Sequence, residues 1–331
     1  MTDDEAFIRA IVHAPGDDAP RLIYADWLDE RGDARGEYLR AEANSDNLQE
    51  LRLLASRLNQ LWVSRVSRPP MGVCCDRVRF RDSYPRKNQV DVHDLEKRLG
   101  IVFPTDYRAF ILNYNGGSAR PNRFPIGNGE FESVYRFFGV EAVSGDDEEP
   151  QYWNLEWELQ PVVAKRARGA NGLWTDRRGL NLIPIAEGVP ATEWSHLCIG
   201  IEGEQSDSVF LVDSSLYSGD DSVRRIASSL PEFLALLRDT RPDWVRLIHD
   251  GDTAGFASWV KSGGDINERY RERPAAETTP LLTALEWDQQ EIVRILVKQG
   301  ATVPADLWDV YESLIPRNLV RKVRPGRRRW F

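Results

Sequence analysis

Among the 331 residues of this chain, the side chains able to do chemistry are numerous, and their spacing decides what they can do. Carboxylate neighbours such as Asp146/Asp147 and Glu156/Glu158 have the makings of general acid–base work, one group taking a proton while the other gives one. With 52 acidic residues in the chain, however, such neighbours arise by chance. Asp26, Asp29, Glu30 and Asp33 could ligate a cation, but on an amphipathic stretch that stops at Gly32 they read as the solvated face of a helix and its capped end. The adjacent thiols of Cys74 and Cys75 could form a redox pair. With only Cys198 besides, they supply neither a disulfide framework nor paired metal-ligand spacing, and reduced thiols are the simplest account.

The four histidines, His13, His93, His196 and His249, are scattered, with no His-x-x-x-His or Glu-x-x-His grouping to put two metal ligands on one helix face. There is no Gly-x-x-x-x-Gly-Lys-Ser/Thr loop to cradle phosphates, no Gly-x-Ser-x-Gly elbow, and no Gly-x-Gly-x-x-Gly after a strand. The sequence therefore implies no enzyme, no metal and no cofactor.

The elements that carry these side chains begin with helices. Phe7, Ile8, Ile11 and Val12 make one apolar stripe; Leu22, Ile23, Trp27 and Leu28 make a second, with Pro15-Gly16-Asp17-Asp18 between them. From Leu48 the positions Leu51, Ala55, Leu58 and Trp62 alternate by three and four residues, which predicts one amphipathic helix running to the break at Ser67-Arg68-Pro69-Pro70. The most informative stretch is Leu95 to Gly117. Val92, Leu95 and Leu99 recur at helical spacing before a stop at Gly100. Pro104 starts a second helix with Tyr107, Phe110, Ile111 and Tyr114 on one face, and Asn115-Gly116-Gly117 tolerates positive φ at its end.

An aromatic segment with Phe131, Tyr135, Phe137 and Phe138 and an acidic loop from Ser144 to Pro150 follow. Strand signals come next, at Leu182–Ala186, Leu197–Ile201 and Val209–Val212, the last two flanking the turn-prone Glu202–Asp207. Ser229 has capping-box spacing to Glu232 at the head of a closing helix that buries Phe233, Leu234, Leu236 and Leu237. Helices, then a meander of strands, then a helix is an α+β pattern.

In that order the residues from about Val92 to Thr240 resemble the SUKH superfamily, which includes fungal cell-wall assembly regulators and many bacterial immunity proteins. The matching elements are Leu95-Glu96 through Gly100, Phe103-Pro104-x-Asp106-Tyr107, Asn115-Gly116-Gly117, Leu182–Ala186, Val209–Asp213 and Leu230–Leu234. The resemblance implies helices packed on an antiparallel-rich sheet and a surface that recognises a protein partner, in bacteria commonly a toxin. The run from Pro20 to Asp33 with Arg35-Gly36-Glu37 resembles the repeat-companion domain, a module with no established activity. At the other end, Trp259-Val260-Lys261 realigns with Leu296-Val297-Lys298, Gly263 with Gly300 and Ile266 with Val303, at a constant offset of 37 residues. This resembles ankyrin repeats stretched by the polar insert around Tyr270–Ala276.

The expected organisation is thus a repeat-companion-like helical module at 1–45, a connecting helix at 46–68, a SUKH-like domain at 69–240 and an ankyrin-like segment with a basic tail at 241–331. Charge is uneven across it. Residues 1–68 carry 13 acidic and 9 basic side chains, residues 69–240 carry 26 and 19, and residues 241–331 carry 13 and 15. The acidic centre suits a basic protein partner and repels phosphates. The expected contact residues are Asp146, Asp147, Glu148 and Glu149 with the aromatic anchors Trp153 and Trp157, joined by Glu193 and Trp194, in segments that depart from the family pattern. The partner expected is a basic toxin domain, for instance a nuclease; a general scaffold without a toxin partner is the alternative. The basic stretch Arg327-Arg328-Arg329 before Trp330-Phe331 reads as a tail, not a nucleic-acid site. An acidic N-terminus in place of a basic leader, and no apolar run near the ~20 residues that span a bilayer, lead to the expectation of a cytoplasmic protein away from membranes.

Overall fold

Each apolar stripe at the start of the chain becomes a short helix, the two separated by the Pro15–Asp18 break. Thr2 caps α1 (Asp3–His13), and α2 (Ala19–Asp29) and α3 (Arg35–Asn44) follow. The helix expected across 46–68 is two, α4 (Leu48–Ala55) and α5 (Gln60–Val66). The break falls where Asn59 turns to accept the Trp62 N–H at 3.0 Å and restarts the helix. In the computed structural model, residues 2–44, 47–128, 130–140, 154–155, 159, 174–175, 181–189, 195–213, 222–273 and 276–324 are described.

The buried face of α2 differs from the apolar stripe read in the sequence. Ile23 is 58% exposed and Leu22 is also exposed, while Arg21, Tyr24, Ala25 and Leu28 are buried. Arg21 can go inside because its guanidinium is satisfied there. It donates to the carbonyls of Pro15 (2.8 Å) and Val66 (3.1 Å) and pairs with Glu42 at 3.4 Å. A buried guanidinium with these partners avoids the cost of an unpaired charge, and it ties α2, α3 and α5 together.

The central sheet domain grows directly from this bundle. After β1 (Arg79–Arg81) comes α6 (Gln89–Leu99), opened by a reciprocal Asn88/Asp91 capping box and closed by Gly100 at φ 66°. α7 (Thr105–Asn113) starts after Pro104 as its sequence indicates, and buries Tyr107, Phe110 and Ile111. Four strands then appear earlier than the sequence signals suggested, counting β1: β2 (Ser118–Arg120) pairs antiparallel with β1, and β3 (Arg123–Gly127) pairs with β4 (Glu130–Phe137). β5 (Trp174–Thr175), β6 (Asn181–Val189), β7 (Ser195–Gly200), β8 (Val209–Asp213) and β9 (Ser222–Ala227) complete an antiparallel sheet of order β3-β4-β6-β7-β8-β9, with β5 also on β6. Arg224 on the last strand donates to the Ile126 carbonyl on the first at 2.6 Å, so a side chain bridges the two edges of a nearly closed sheet. The closing helix, Leu230–Leu236, lays Phe233 against Phe124 and Phe137 inside it.

Polar contacts fasten the bundle to this domain. Arg65 Nε donates to Asn113 Oδ1 at 3.2 Å, Asn113 Nδ2 returns a bond to the Arg65 carbonyl at 2.8 Å, and Ser64 Oγ donates to Asp106 Oδ1 at 2.8 Å. Cys74 and Cys75 are neighbours in sequence but not in packing. Cys74 faces the core of the helical bundle and Cys75 the core under the sheet, and both thiols are free and buried. Met1–Asp239 forms one unit and Thr240–Phe331 a second with its own core around Trp244, Phe256, Leu282 and Leu296.

In the second unit the sequence offset reappears as architecture. The helices Asp243–His249 and Thr253–Lys261 recur as Pro280–Glu286 and Gln290–Lys298, each boundary shifted by 37 residues, with the polar insert forming a small hairpin of Tyr270–Arg273 on Ala276–Thr278. Two similar helical pairs are therefore present.

Candidate functional site

All eight expected contact residues, Asp146, Asp147, Glu148, Glu149, Trp153, Trp157, Glu193 and Trp194, lie outside the described residues, as does the Arg327–Phe331 tail. The described residues do show how the acidic segment is rooted. α7 ends at Asn113, and the chain passes through Asn115, Gly116 and Gly117 with φ of 51°, 80° and 106°. The sequence marked this tripeptide as a helix stop. Its larger role is to hold the base of the acidic segment.

Asn115 is fully buried and uses its whole amide. Its Oδ1 accepts from the Val140 N–H at 2.7 Å, while its Nδ2 donates to the carbonyls of Val140 at 2.9 Å and Pro85 at 2.6 Å. Its own carbonyl accepts from the Tyr84 N–H at 3.1 Å. Gly139 must be glycine here, since a Cβ would lie 2.1 Å from Cδ2 of Tyr84. Gly117 and Phe137 exchange backbone hydrogen bonds at 3.1 and 2.9 Å. The returning chain is pinned at the same point: Gly139 bridges Asn154, and the Leu155 N–H donates to the Gly139 carbonyl at 2.9 Å. Asn154, Leu155 and Leu159 are buried. Both ends of segment 141–153 are therefore held at Gly139–Val140.

The second expected segment leaves elsewhere. Residues 190–194 connect β6 to β7 beyond Val189, whose partner on β4 is Ser133, whereas Phe138, close to the first root, donates its N–H to Ile185 in the middle of β6. At about 3.3 Å per residue the two roots are roughly 13 Å apart along the strand. The described anchors thus separate the Glu193/Trp194 segment from the acidic one. Gly188 permits the close approach of Ser195 on β7, because a Cβ would lie 2.2 Å from Ser195 Oγ.

Titration is perturbed away from these roots. Burial pushes the Asp106 carboxyl up to about 6, the nearby Asp207 charge adds to the rise, and the Ser64 hydroxyl partly offsets it. Asp207 is raised as well, chiefly by burial. Glu5 moves the other way: Arg65 grips it with two bonds of 2.8 and 2.9 Å and holds it below the usual carboxylate range. Burial raises Cys74 to about 12 and also raises Cys75, so neither thiol is poised as a nucleophile. Among the described residues no group of three or more His, Cys, Asp or Glu side chains could hold a metal ion. No described helix is long and apolar enough to cross a membrane.

These features define an α+β domain whose polar side chains build supports, with two outgoing segments rooted at fixed points. Residues 88–236 match the model of the SMI1/KNR4 family (SUKH-1), so the chain carries a central SUKH-1 domain. That match covers both helices of the pair, strands β2 to β9 and the closing helix. It supports a non-catalytic, protein-interaction role of the kind found in toxin–immunity systems. No curated protein matches the chain.

Proposed function

We propose that the protein is an immunity protein that neutralises a cognate bacterial toxin by binding it directly through the acidic segment displayed from the SUKH-1 domain. The observation that carries this reading is the family match over residues 88–236, within a region bearing 26 acidic against 19 basic side chains. A toxin that acts on nucleic acid has a basic site because it holds phosphates. An acidic surface is steered onto such a site and raises the rate of encounter. Asp146 to Glu149 supply that charge in this reading, Trp153 and Trp157 anchor the contact, and Glu193 and Trp194 extend it. The pinned base at Asn115 and Gly139 lowers the entropic cost of presenting the segment. The protein acts in the cytosol, where its three thiols stay reduced.

The test is coexpression with the products of the neighbouring genes, followed by affinity capture and a viability assay. Capture of one basic product that kills cells only when this protein is omitted supports the proposal. Recovery of several unrelated, harmless partners would favour a general scaffold instead, the reading to which the two repeated helical pairs at the C-terminal end, ankyrin-like in their motif, lend weight.

A further inference from the structure

Three elements distant in sequence meet at the first turn of α7. Pro104 stands at the N-cap position and offers no side-chain cap, so the opening N–H groups of the helix need a partner from elsewhere. The turn between β7 and β8 supplies one: the Asp106 N–H bonds the Asp207 carboxylate and favours its charge. From the other side Ser64 on α5 donates to Asp106 Oδ1 at 2.8 Å. The helical bundle, the helix pair and the sheet are thus joined at one point.

No cation balances the two carboxyls there. Among the described residues Asp207 is the charged group that bears on Asp106. Arg65, next to Ser64 on α5, is committed to Glu5 and Asn113, and Arg108 on α7 to Glu96, while Glu202 and Glu204 on the turn are exposed. Ser206 Oγ donates to Asp207 Oδ2 at 3.4 Å, whereas Asp207 Oδ1 is buried with no hydrogen-bond partner among the described residues. A buried acceptor without a donor and a buried pair of like charges are each costly, and a single proton between the carboxyls relieves both. Asp106 is the group that carries it. Burial lifts its carboxyl to about 6, while the Asp106 N–H and the Ser206 hydroxyl favour the charged form of Asp207.

We propose that Asp106 and Asp207 share one proton, Asp106 Oδ2 donating to Asp207 Oδ1, and that this bond is a pH-sensitive clasp fastening the β7–β8 turn to the head of α7. Closing it takes one proton from solvent onto Asp106 and changes the charge of the pair from −2 to −1. The hold strengthens as pH falls through 6 towards the ordinary carboxylate value. As pH rises through 6 the proton returns to solvent, two carboxylates face each other, and the turn loosens. The turn amides report on this state, since Ser206, Asp207 and Ser208 donate to the carbonyls of Gly203, Gly200 and Gln205 at 3.2, 3.0 and 3.2 Å.

Hydrogen exchange of the full chain at pH 5 and pH 8, read by mass spectrometry on peptides covering residues 201–208 and corrected for the intrinsic pH dependence of exchange, tests it. A carboxyl raised from 3.8 to about 6 realises about a tenfold change between these pH values, so turn protection should be about tenfold lower at pH 8. Asp106→Asn keeps a donor towards Asp207 at every pH, and should hold the turn at pH 8 at least as firmly as wild type at pH 5. Asp207→Asn removes the opposing charge and offers Asp106 a donor, so the change should shrink to about threefold or less. Thermal melting checks that each variant folds, and either one alone decides the matter. Equal protection of the wild-type turn at pH 5 and pH 8, or the full tenfold change persisting in Asp106→Asn or in Asp207→Asn, would overturn the proposal.

Discussion

Asn115 satisfies both backbone polar groups of Val140: its side-chain amide accepts the Val140 N–H at 2.7 Å and donates to the Val140 carbonyl at 2.9 Å. The residue that ends the helix pair thereby sets the point from which the acidic segment leaves. Support and display are coupled through one buried side chain.

Replacing that side chain tests the coupling. Asn115→Ala strands the Val140 and Pro85 groups and places alanine at φ 51°. Losses of about 1–3 kcal/mol for each buried group left unpaired, softened by local relaxation, give an expected total near 2–4 kcal/mol in urea unfolding. Gly139→Ala should cost a similar amount, since its Cβ collides with both the Tyr84 ring and the Asn115 carbonyl. A change below about 0.5 kcal/mol in both variants would remove Asn115 from this role.

The titrating carboxyls give stability a definite pH course. Asp106 has a folded-state pKa raised from 3.8 to about 6, so its favourable contribution is full below the unfolded value and is lost as pH rises through 6. Glu5 is lowered, so its contribution is present above the ordinary carboxylate value and is lost as pH falls through the depressed one. Stability of the first unit should therefore rise as pH falls through 6 towards the ordinary carboxylate range and fall again in stronger acid. Asp106→Asn should flatten this limb, with a gain of about 1–3 kcal/mol at pH 8 that falls to about half as much at pH 5. Urea midpoints at the two pH values measure it.

Breaking the Glu5–Arg65 pair should be costly, because Arg65 is only 4% exposed and also braces Asn113. Glu5→Gln leaves that guanidinium with a weaker partner, and an expected loss of about 1–3 kcal/mol at pH 7 should shrink in acid, where wild-type Glu5 is itself protonated. An equal loss at pH 7 and pH 3 would show that packing, not charge, carries the effect.

The three cysteines should be silent in the folded protein. Each is buried and outside any disulfide, and burial raises the Cys74 thiol to about 12. Iodoacetamide at pH 8 should leave the native chain unmodified and alkylate all three sites in urea, as read by mass spectrometry. Fast labelling of Cys74 or Cys75 in the native state would contradict their placement in two separate cores.

Legibility in the sequence follows the physics of each element. The pair α6–α7 reads clearly because apolar spacing, the Gly100 stop and Pro104 agree at every level. The offset of 37 is visible because the repeated helices preserve their boundaries. The strands from Arg79 to Phe137 are obscure because arginines, prolines and glycines interrupt the alternation, and their inward residues are single aromatics such as Phe80 and Phe124. The α2 face misleads because Arg21 and Tyr24 occupy core positions, where partners distant in sequence satisfy them. As for the site, the acidic and tryptophan-rich segments stand out by composition, while the anchor at Asn115 and Gly139 depends on contacts across some 25 residues that no local pattern encodes.

The most direct test of the central claim is the affinity of the captured partner for wild type and for a chain carrying Asp146→Lys, Asp147→Lys, Glu148→Lys and Glu149→Lys, measured by titration calorimetry at low and high salt. If the acidic segment is the contact surface, the variant should bind about a hundredfold more weakly at low salt, and the wild-type affinity alone should fall steeply as salt is raised. Equal affinity of the two chains for the same partner, with the same salt dependence, would contradict the account.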